Sequence, residues 1–524
     1  MTLRRIAPFV LSVSLVLVIG PEPLASQELS LAKQVIERTL PNGLKVLIVN
    51  QPEIPTVRCT LAFRVGSVNE RPGITGISHM HEHMMFKGTQ TMGIKPGTLE
   101  LDNRLNEQID ALEAQLVKEE AGLKGADEAT IQAVESRMVA LKKQVSDLIA
   151  KERAETIVSE EIWSAYQEAG GTGLNASTGQ EMTQYYVTLP KNKLELYMAL
   201  EADRLVNPIF REFYSERDVL VEERRMSENR PGFFFQEQLN ATFYAASPYS
   251  WSVVGWMSDL SRITKQDVID YRKQYYRPDN AVLVLAGGVD VEPAMALVAK
   301  YFGPINNPPG SAPRVRTQEP SPAYYRDVNG PDFKVPYIEK RVHGKAATNP
   351  YVMVIFHIPP VWHDDISPLY MLAQVMSSRT GKMYADMVLK NDHATSVSAR
   401  ASESEYDGQF SFQASAKEVR NETVIPLDQL EKELWTFIED AKSTPCDAQL
   451  LQRVKNQTES SFLRSLAGTG IANSLVRMEI AYRWQFLEEQ FKQRMAVTPA
   501  DLMRVAKKYY TRDNSVTGVL EREK

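Results

Sequence analysis

The feature that most limits what this chain can fold into is that part of it occurs twice. Ile263-Thr264-Lys265-Gln266-Asp267 and Tyr275-Tyr276-Arg277-Pro278-Asp279-Asn280-Ala281-Val282 lie over Val497-Thr498-Pro499-Ala500-Asp501 and Tyr509-Tyr510-Thr511-Arg512-Asp513-Asn514-Ser515-Val516. Every matched pair is offset by 234 residues, as 501 minus 267 and 514 minus 280 both give, so the register needs no gap. Two homologous halves follow. Each copy predicts the same local structure: a Thr that caps a helix, a short helix ending in paired tyrosines, an Asp-Asn turn, then a β-branched run.

Length agrees with more than one core, since 524 residues divided by a usual domain of roughly 150 gives three or four units. Between the repeats, Pro304, Pro308, Pro309, Pro313, Pro320, Pro322, Pro331 and Pro336 exclude regular helix and predict a linker over 304–338. The expected domains are therefore 27–303 and 339–524. The first half opens on Leu40-Pro41-Asn42-Gly43-Leu44, a hairpin signal, and Val57 to Val65 reads as a buried strand. The fold class expected is α+β: two homologous α/β sandwich-like halves, each a mixed antiparallel sheet covered by helices.

From about 98 to 160 the pattern changes. Leu105, Ile109, Leu112 and Leu116 recur at helical spacing, as do Ile131, Val134, Met138, Leu141, Val145 and Leu148, with a breaker at Ala121-Gly122-Leu123-Lys124-Gly125. This predicts an antiparallel helical hairpin inserted in the first half and packed on itself.

At the N-terminus, Arg4 and Arg5 precede an apolar run from Ile6 to Ile19, then Pro21, Pro23, Ala25 and Ser26. The run is shorter than the roughly 20 residues of a spanning helix, so residues 1–26 read as a secretory signal peptide and the mature chain starts near Gln27. The protein is expected to be exported without a stable membrane anchor, to the periplasm of a Gram-negative source or outside the cell otherwise. Cys59 and Cys446, far apart in sequence, are expected to be structural. Acidic residues number 66 against 60 basic ones, a net charge of -6, so no basic excess exists to neutralise phosphates and no nucleic-acid partner is expected.

Chemistry concentrates in Thr75-Gly76-Ile77-Ser78-His79-Met80-His81-Glu82-His83-Met84-Met85-Phe86-Lys87-Gly88-Thr89, which holds three of the seven histidines. With Thr75 as N-cap and Gly88 as C-cap it predicts a helix of about three turns. On it His79 and His83, at i and i+4, reach one ion from one face, and Glu82 stands beside them without displacing a water. His81 points elsewhere. Two histidines cannot hold a catalytic zinc, which needs a third protein ligand and an open position. The candidates lie in Glu216-Arg217-Asp218-Val219-Leu220-Val221-Glu222-Glu223, where Glu216 and Glu223 share a face; periodicity alone neither chooses between them nor excludes Glu222.

The stretch resembles the pitrilysin and insulysin family of zinc peptidases, which carries H-x-x-E-H and includes the processing-peptidase-like members. The resemblance extends to Phe86-Lys87-Gly88-Thr89, Gly170-Gly171, Asn175-Ala176-Ser177-Thr178, Thr183 with Tyr185-Tyr186, and Glu216-Arg217 with Glu222-Glu223. It implies that Glu223 is the third ligand of one Zn²⁺ per chain, that Glu216 supports the site catalytically from behind, and that Glu82 is the general base of a metalloendopeptidase. It also implies that the strand carrying Asn175 and Ala176 receives an extended peptide substrate. The 140 residues from His83 to Glu223 exceed the family's spacing, and the helical insert supplies the excess; a longer surface loop costs only about 0.6 kcal/mol per doubling. The family's second half usually holds substrate with an arginine and a tyrosine, and Val388 and Thr395 stand at those places here. A second family subunit bearing that pair, in a heterodimer, is therefore an expected partner. The alternative function is a non-catalytic scaffold or partner subunit of the same fold.

Overall fold

In a computed structural model, which describes residues 30–315, 319–330, 332–335 and 338–523, the repeat is visible as two sheets of one topology. The expected signal peptide, residues 1–26, lies outside the described residues. Strands β1 (Val35–Thr39), β2 (Lys45–Asn50), β3 (Thr56–Phe63), β4 (Thr172–Thr178), β5 (Thr183–Pro190) and β6 (Ala281–Gly287) form a sheet in the order β1-β2-β6-β3-β5-β4. Strands β7 (Lys340–Ala346), β8 (Tyr351–Ile358), β9 (Ala394–Ser402), β10 (Gly408–Ala416) and β13 (Ser515–Arg522) form another in the order β7-β13-β8-β10-β9, with a small ribbon of β11 (Glu418–Val419) and β12 (Glu422–Thr423) beside it. Both sheets are mixed: β6 runs parallel to β2 and antiparallel to β3, as β13 does to β7 and β8.

The duplicated segment explains itself in side-chain terms. Thr264 and Asp267 form a capping box at the start of the Lys265–Tyr275 helix, and Thr498 and Asp501 form its copy at the Pro499–Tyr509 helix. Asn280 then donates to the carbonyls of Tyr275 (2.9 Å) and Arg64 (3.2 Å), while Asn514 donates to those of Tyr509 (2.9 Å) and His357 (2.9 Å). In each half this asparagine ties the end of the helix to the end of the adjacent strand. The Asn42-Gly43 hairpin joins β1 to β2, with Gly43 at φ 88°, a conformation open to glycine.

Each sheet buries one face under its own half's helices. The other face is covered from the opposite half. Ile471, Ala472, Leu475, Val476 and Ile480 of the Ile471–Ala481 helix pack on Leu47, Val49, Ala62, Val282 and Val284 of the first sheet. Reciprocally, Phe235, Leu239 and Phe243 of the Phe233–Phe243 helix pack on Val342, Ile355, Val516 and Leu520 of the second. A fully buried side chain of this size contributes about 1.5–3 kcal/mol, so the exchange is a large share of what joins the halves. Glu479, buried at the end of its helix, adds an ion pair across the same boundary, meeting Lys45 and Arg64 at 2.7 Å each and accepting the Trp484 amide.

Two sequence expectations are corrected. The proline-rich stretch 304–338 does contain helix, over Pro322–Asn329, because Pro322 occupies the first turn, where its missing N–H costs nothing, and Ser321 accepts from the Tyr324 amide at 3.1 Å. The metal-motif helix is shorter than three turns, spanning Ile77–Met84, and Thr75 does not cap it. Its hydroxyl instead donates to Asp259 (2.8 Å), and Glu70 receives the amides of Gly76 (2.8 Å) and Ser78 (2.9 Å), placing a carboxylate at the helix N-terminus. The inserted hairpin is as expected, with helices Leu99–Gly122 and Glu128–Glu155 closed on Ile109, Leu116 and Val145. At its base, buried Asp102 meets Arg211 (3.4 Å), whose guanidinium also holds the carbonyls of Lys87, Thr89 and Met92 just beyond the metal-motif helix.

Candidate metal centre and active site

The Phe213–Glu228 helix packs against the Ile77–Met84 helix and brings Glu223 to the two histidines. One donor atom each from His79, His83 and Glu223 lies within 4.8 Å of the others. His79 Nε2 is 3.6 Å from Glu223 Oε2, and His83 Nε2 is 3.9 Å from Glu223 Oε1. Both imidazoles thus turn the same nitrogen inward. Glu222, the alternative that periodicity could not exclude, faces away and pairs with Arg225 at the surface.

Behind this trio Glu216 Oε2 sits 3.2 Å from His83 Nδ1, and Lys87 Nζ sits 2.6 Å from Glu216 Oε1. A carboxylate on the far nitrogen fixes the tautomer that leaves Nε2 free to ligate, so the donor set fits a tetrahedral divalent ion such as zinc with one position open. His79 Nδ1 is buried without a hydrogen-bond partner among the described residues. Burial, then the neighbouring His83, lowers the His79 pKa to about 4. Burial also opposes protonation of His83, but the Glu216 hydrogen bond and the charges of Glu223, Glu216 and Glu82 outweigh it and move that pKa up. Burial would raise Glu216, yet its bonds to His83 and Lys87 win and lower it, so it stands as a carboxylate.

Glu82 lies on the same helix, half-buried, with its pKa raised by burial against the opposing hydrogen bond from Thr178. Thr178 is the last residue of β4, the free edge of the first sheet, and its hydroxyl donates to Glu82 Oε2 at 2.6 Å. Neither Thr178 nor Lys87 was assigned a role from sequence, although both fall within the stretches that carry the resemblance; no local pattern tells that a threonine on a strand reaches a helix nearly a hundred residues away.

Asn175 and Ala176 also lie on β4, which pairs with β5 on one side only. Ala176 points its methyl into the core, 8% exposed, so only its main chain faces outward along the edge. The Asn175 side-chain oxygen Oδ1 accepts the Ala176 amide at 2.9 Å. His81 is fully buried, stacked on Tyr276 at 3.7 Å, away from the candidate ligands His79, His83 and Glu223, as its position on the helix predicts. In the second half, Val388 is half-buried against the core and Thr395 is exposed on β9.

Comparison with known proteins identifies the family of the fold. Residues 45–113 and 148–255 match the family described as insulinase (peptidase family M16), and residues 262–458 match the one described as the peptidase M16 inactive domain. The gap in the first match, 114–147, falls inside the helical hairpin. The chain is 24% identical to the zinc protease PqqE of Helicobacter pylori over 92% of both chains. It is also 24% identical to a probable mitochondrial-processing peptidase subunit beta of Arabidopsis thaliana, over 92% of this chain and 77% of that one. Among solved structures, a protease from Helicobacter pylori superposes with a TM-score of 0.73 at 21% identity, covering 93% of this chain and 99% of that one. With the two family models together matching 45–113, 148–255 and 262–458 and the fold shared with its structural neighbours, the chain belongs to peptidase family M16, the insulinase family.

Proposed function

We propose that the protein is a zinc-dependent metalloendopeptidase that hydrolyses peptides or unfolded polypeptides. The observation that carries this reading is the convergence of His79, His83 and Glu223 within 4.8 Å with Glu82 beside them. One zinc ion per chain would supply a Lewis acid for the peptide carbonyl and acidify an attacking water. The residues of the chain do the rest. Glu82, aligned by Thr178, takes the proton of the attacking water and passes it to the leaving amine. Glu216 and Lys87 keep His83 oriented. The open edge of β4, through the main chain at Asn175 and Ala176, offers hydrogen bonds to an extended peptide laid beside it. The test is cleavage of a fluorogenic unstructured peptide by purified protein, with and without chelator, beside Glu82→Gln. Equal rates in all three would sink the assignment.

The second half supports a further part of the proposal. It carries Val388 and Thr395 where the family's substrate-holding arginine and tyrosine would stand, and one similar protein is named as a beta subunit. We infer that full activity requires a second family subunit supplying that pair; full-rate cleavage by the purified monomer would refute this. The 304–338 stretch is proposed as the linker between the two homologous halves, 27–303 and 339–524. Export is proposed from the Arg4-Arg5 and Ile6–Ile19 pattern, and among the described residues no helix is long and apolar enough to cross a membrane.

A further inference from the structure

The duplication reaches beyond the segment in which sequence alone reveals it, and it has changed the chemistry of one copy. The Ile366–Met376 helix follows β8 as the Ile77–Met84 helix follows β3, and both open on a buried pair, Ile77-Ser78 and Ile366-Ser367. The Ala448–Ser465 helix packs on the former as Phe213–Glu228 packs on the latter, and the 234-residue offset carries over: Leu220 falls on Val454 and Arg224 on Thr458, all buried. Laid over in this way, Pro368, Met371 and Leu372 take the places of His79, Glu82 and His83. Leu450 takes that of Glu216, and an exposed Gln457 that of Glu223. Both imidazoles and two of the three carboxylates have given way to apolar side chains, and the third carboxylate to an exposed amide.

At this crossing the second half holds a cavity of about 460 Å³, whose walls include Leu372, Met376, Met383, Phe437, Leu450 and Met503. That volume lies in the range of small-ligand sites between packed helices. Three methionines give a lining that adapts to a flexible chain. The charges at the rim are unequal in what they leave free. Lys382 pairs with Asp440 at 3.3 Å, and Asp440 also accepts from Thr444; Asp447 caps its helix through the Leu450 amide at 2.7 Å. Arg453, one turn beyond Leu450, has only a 3.5 Å contact to the Thr380 hydroxyl and no carboxylate partner among the described residues.

We propose that this cavity binds a single-chain alkyl carboxylate, its chain among the methionines and leucines and its carboxylate on the Arg453 guanidinium. An apolar pocket beside one uncompensated guanidinium, whose fork matches two carboxylate oxygens, favours that class over a neutral or cationic amphiphile. The site shares no residue with the metal centre, so it stands or falls apart from the peptidase reading.

Cys446 supplies the measurement. It lines the cavity and is half-buried, whereas Cys59 is fully buried, so a maleimide reacts at Cys446 in the folded chain. The labelling rate is followed by mass spectrometry in the full-length protein with dodecanoate below its micellar concentration, and direct binding is read by calorimetry. Dodecanoate should slow labelling saturably, and dodecanol should protect less. Arg453→Ala should raise the dodecanoate concentration required by about tenfold, and Met376→Trp and Met503→Trp, each filling the cavity from a lining position, should abolish calorimetric binding while circular dichroism stays unchanged. Equal protection by dodecanoate and dodecanol overturns the carboxylate assignment. Absence of protection, or binding that survives both folded tryptophan variants, overturns the site.

Discussion

Thr178 donates its hydroxyl hydrogen to Glu82 Oε2 at 2.6 Å, so the end of the open sheet edge holds the residue proposed as general base. Edge and base are thereby set in register. Thr178→Val should leave zinc content unchanged and lower kcat by about tenfold, whereas Glu82→Gln should lower it by about 10²–10⁴. Steady-state kinetics with metal analysis of each variant checks both. A Thr178→Val enzyme with unaltered kcat would remove the aligning role.

The two glutamates of the Phe213–Glu228 helix should separate cleanly in metal affinity. Glu223→Gln removes a donor from the trio and should abolish stoichiometric zinc binding. Glu216→Gln leaves the trio intact but loosens His83, and should weaken affinity about 10–100-fold. Competition against a chromophoric chelator measures both, and the reverse order would mean that the ligand assignment is inverted.

Glu479 is buried with Lys45 and Arg64 upon it. Removing the carboxylate leaves Arg64 without an acidic partner among the described residues and Lys45 with Glu37 alone at 3.4 Å, so Glu479→Leu should destabilise the fold by about 3 kcal/mol. A downward shift in the urea midpoint is expected, and an unchanged midpoint would show that the cations reach solvent instead.

Acid should act through Asp365. Burial works against its ionised form, but Lys508, Arg504 and Tyr509 bind it and hold its pKa down at about 2 against an ordinary 3.8. Because the folded value lies below the unfolded one, the stabilisation is present above about pH 4 and is lost as pH falls toward 2. Asp365→Asn should therefore lower Tm near neutral pH and flatten its fall between pH 4 and 2. Parallel Tm-versus-pH curves for the two proteins would refute this.

The outer part of the helical hairpin should be dispensable for the metal site. Its base is tied to the site through Asp102 and Arg211 and through Glu113 and Arg217, whereas Leu116, Met138 and Leu141 pack within the hairpin. Replacing residues 114–143 by a short Gly-rich turn should retain folding and zinc stoichiometry. Loss of metal binding would show that the tip reaches the site.

What sequence made legible was local or periodic. The capping boxes, the Asn-Gly hairpin and the i, i+4 histidines are fixed by neighbours within a few residues, and the second repeat makes the inner strand that follows each capped helix readable twice. Glu223 came from resemblance, because two adjacent glutamates cannot be told apart without knowing which side the partner helix lies on. Thr75 was misjudged as a cap for the same kind of reason: Asp259, 184 residues away, takes its hydroxyl. The helix at Pro322 was missed because a count of prolines ignores that the first turn tolerates one. The exchange of covering helices left no periodic trace at all, since an apolar helix face looks alike whichever sheet it meets.

That exchange makes each half the other's lid. A fragment ending near residue 303 would bare Leu47, Val49, Ala62, Val282, Val284 and Ala286 to water, and one starting near residue 339 would bare Val342, Ile355, Val516 and Leu520. Produced separately, both pieces should stick to chaperones or to each other; produced together from two plasmids, they should reassemble into a nicked but whole molecule.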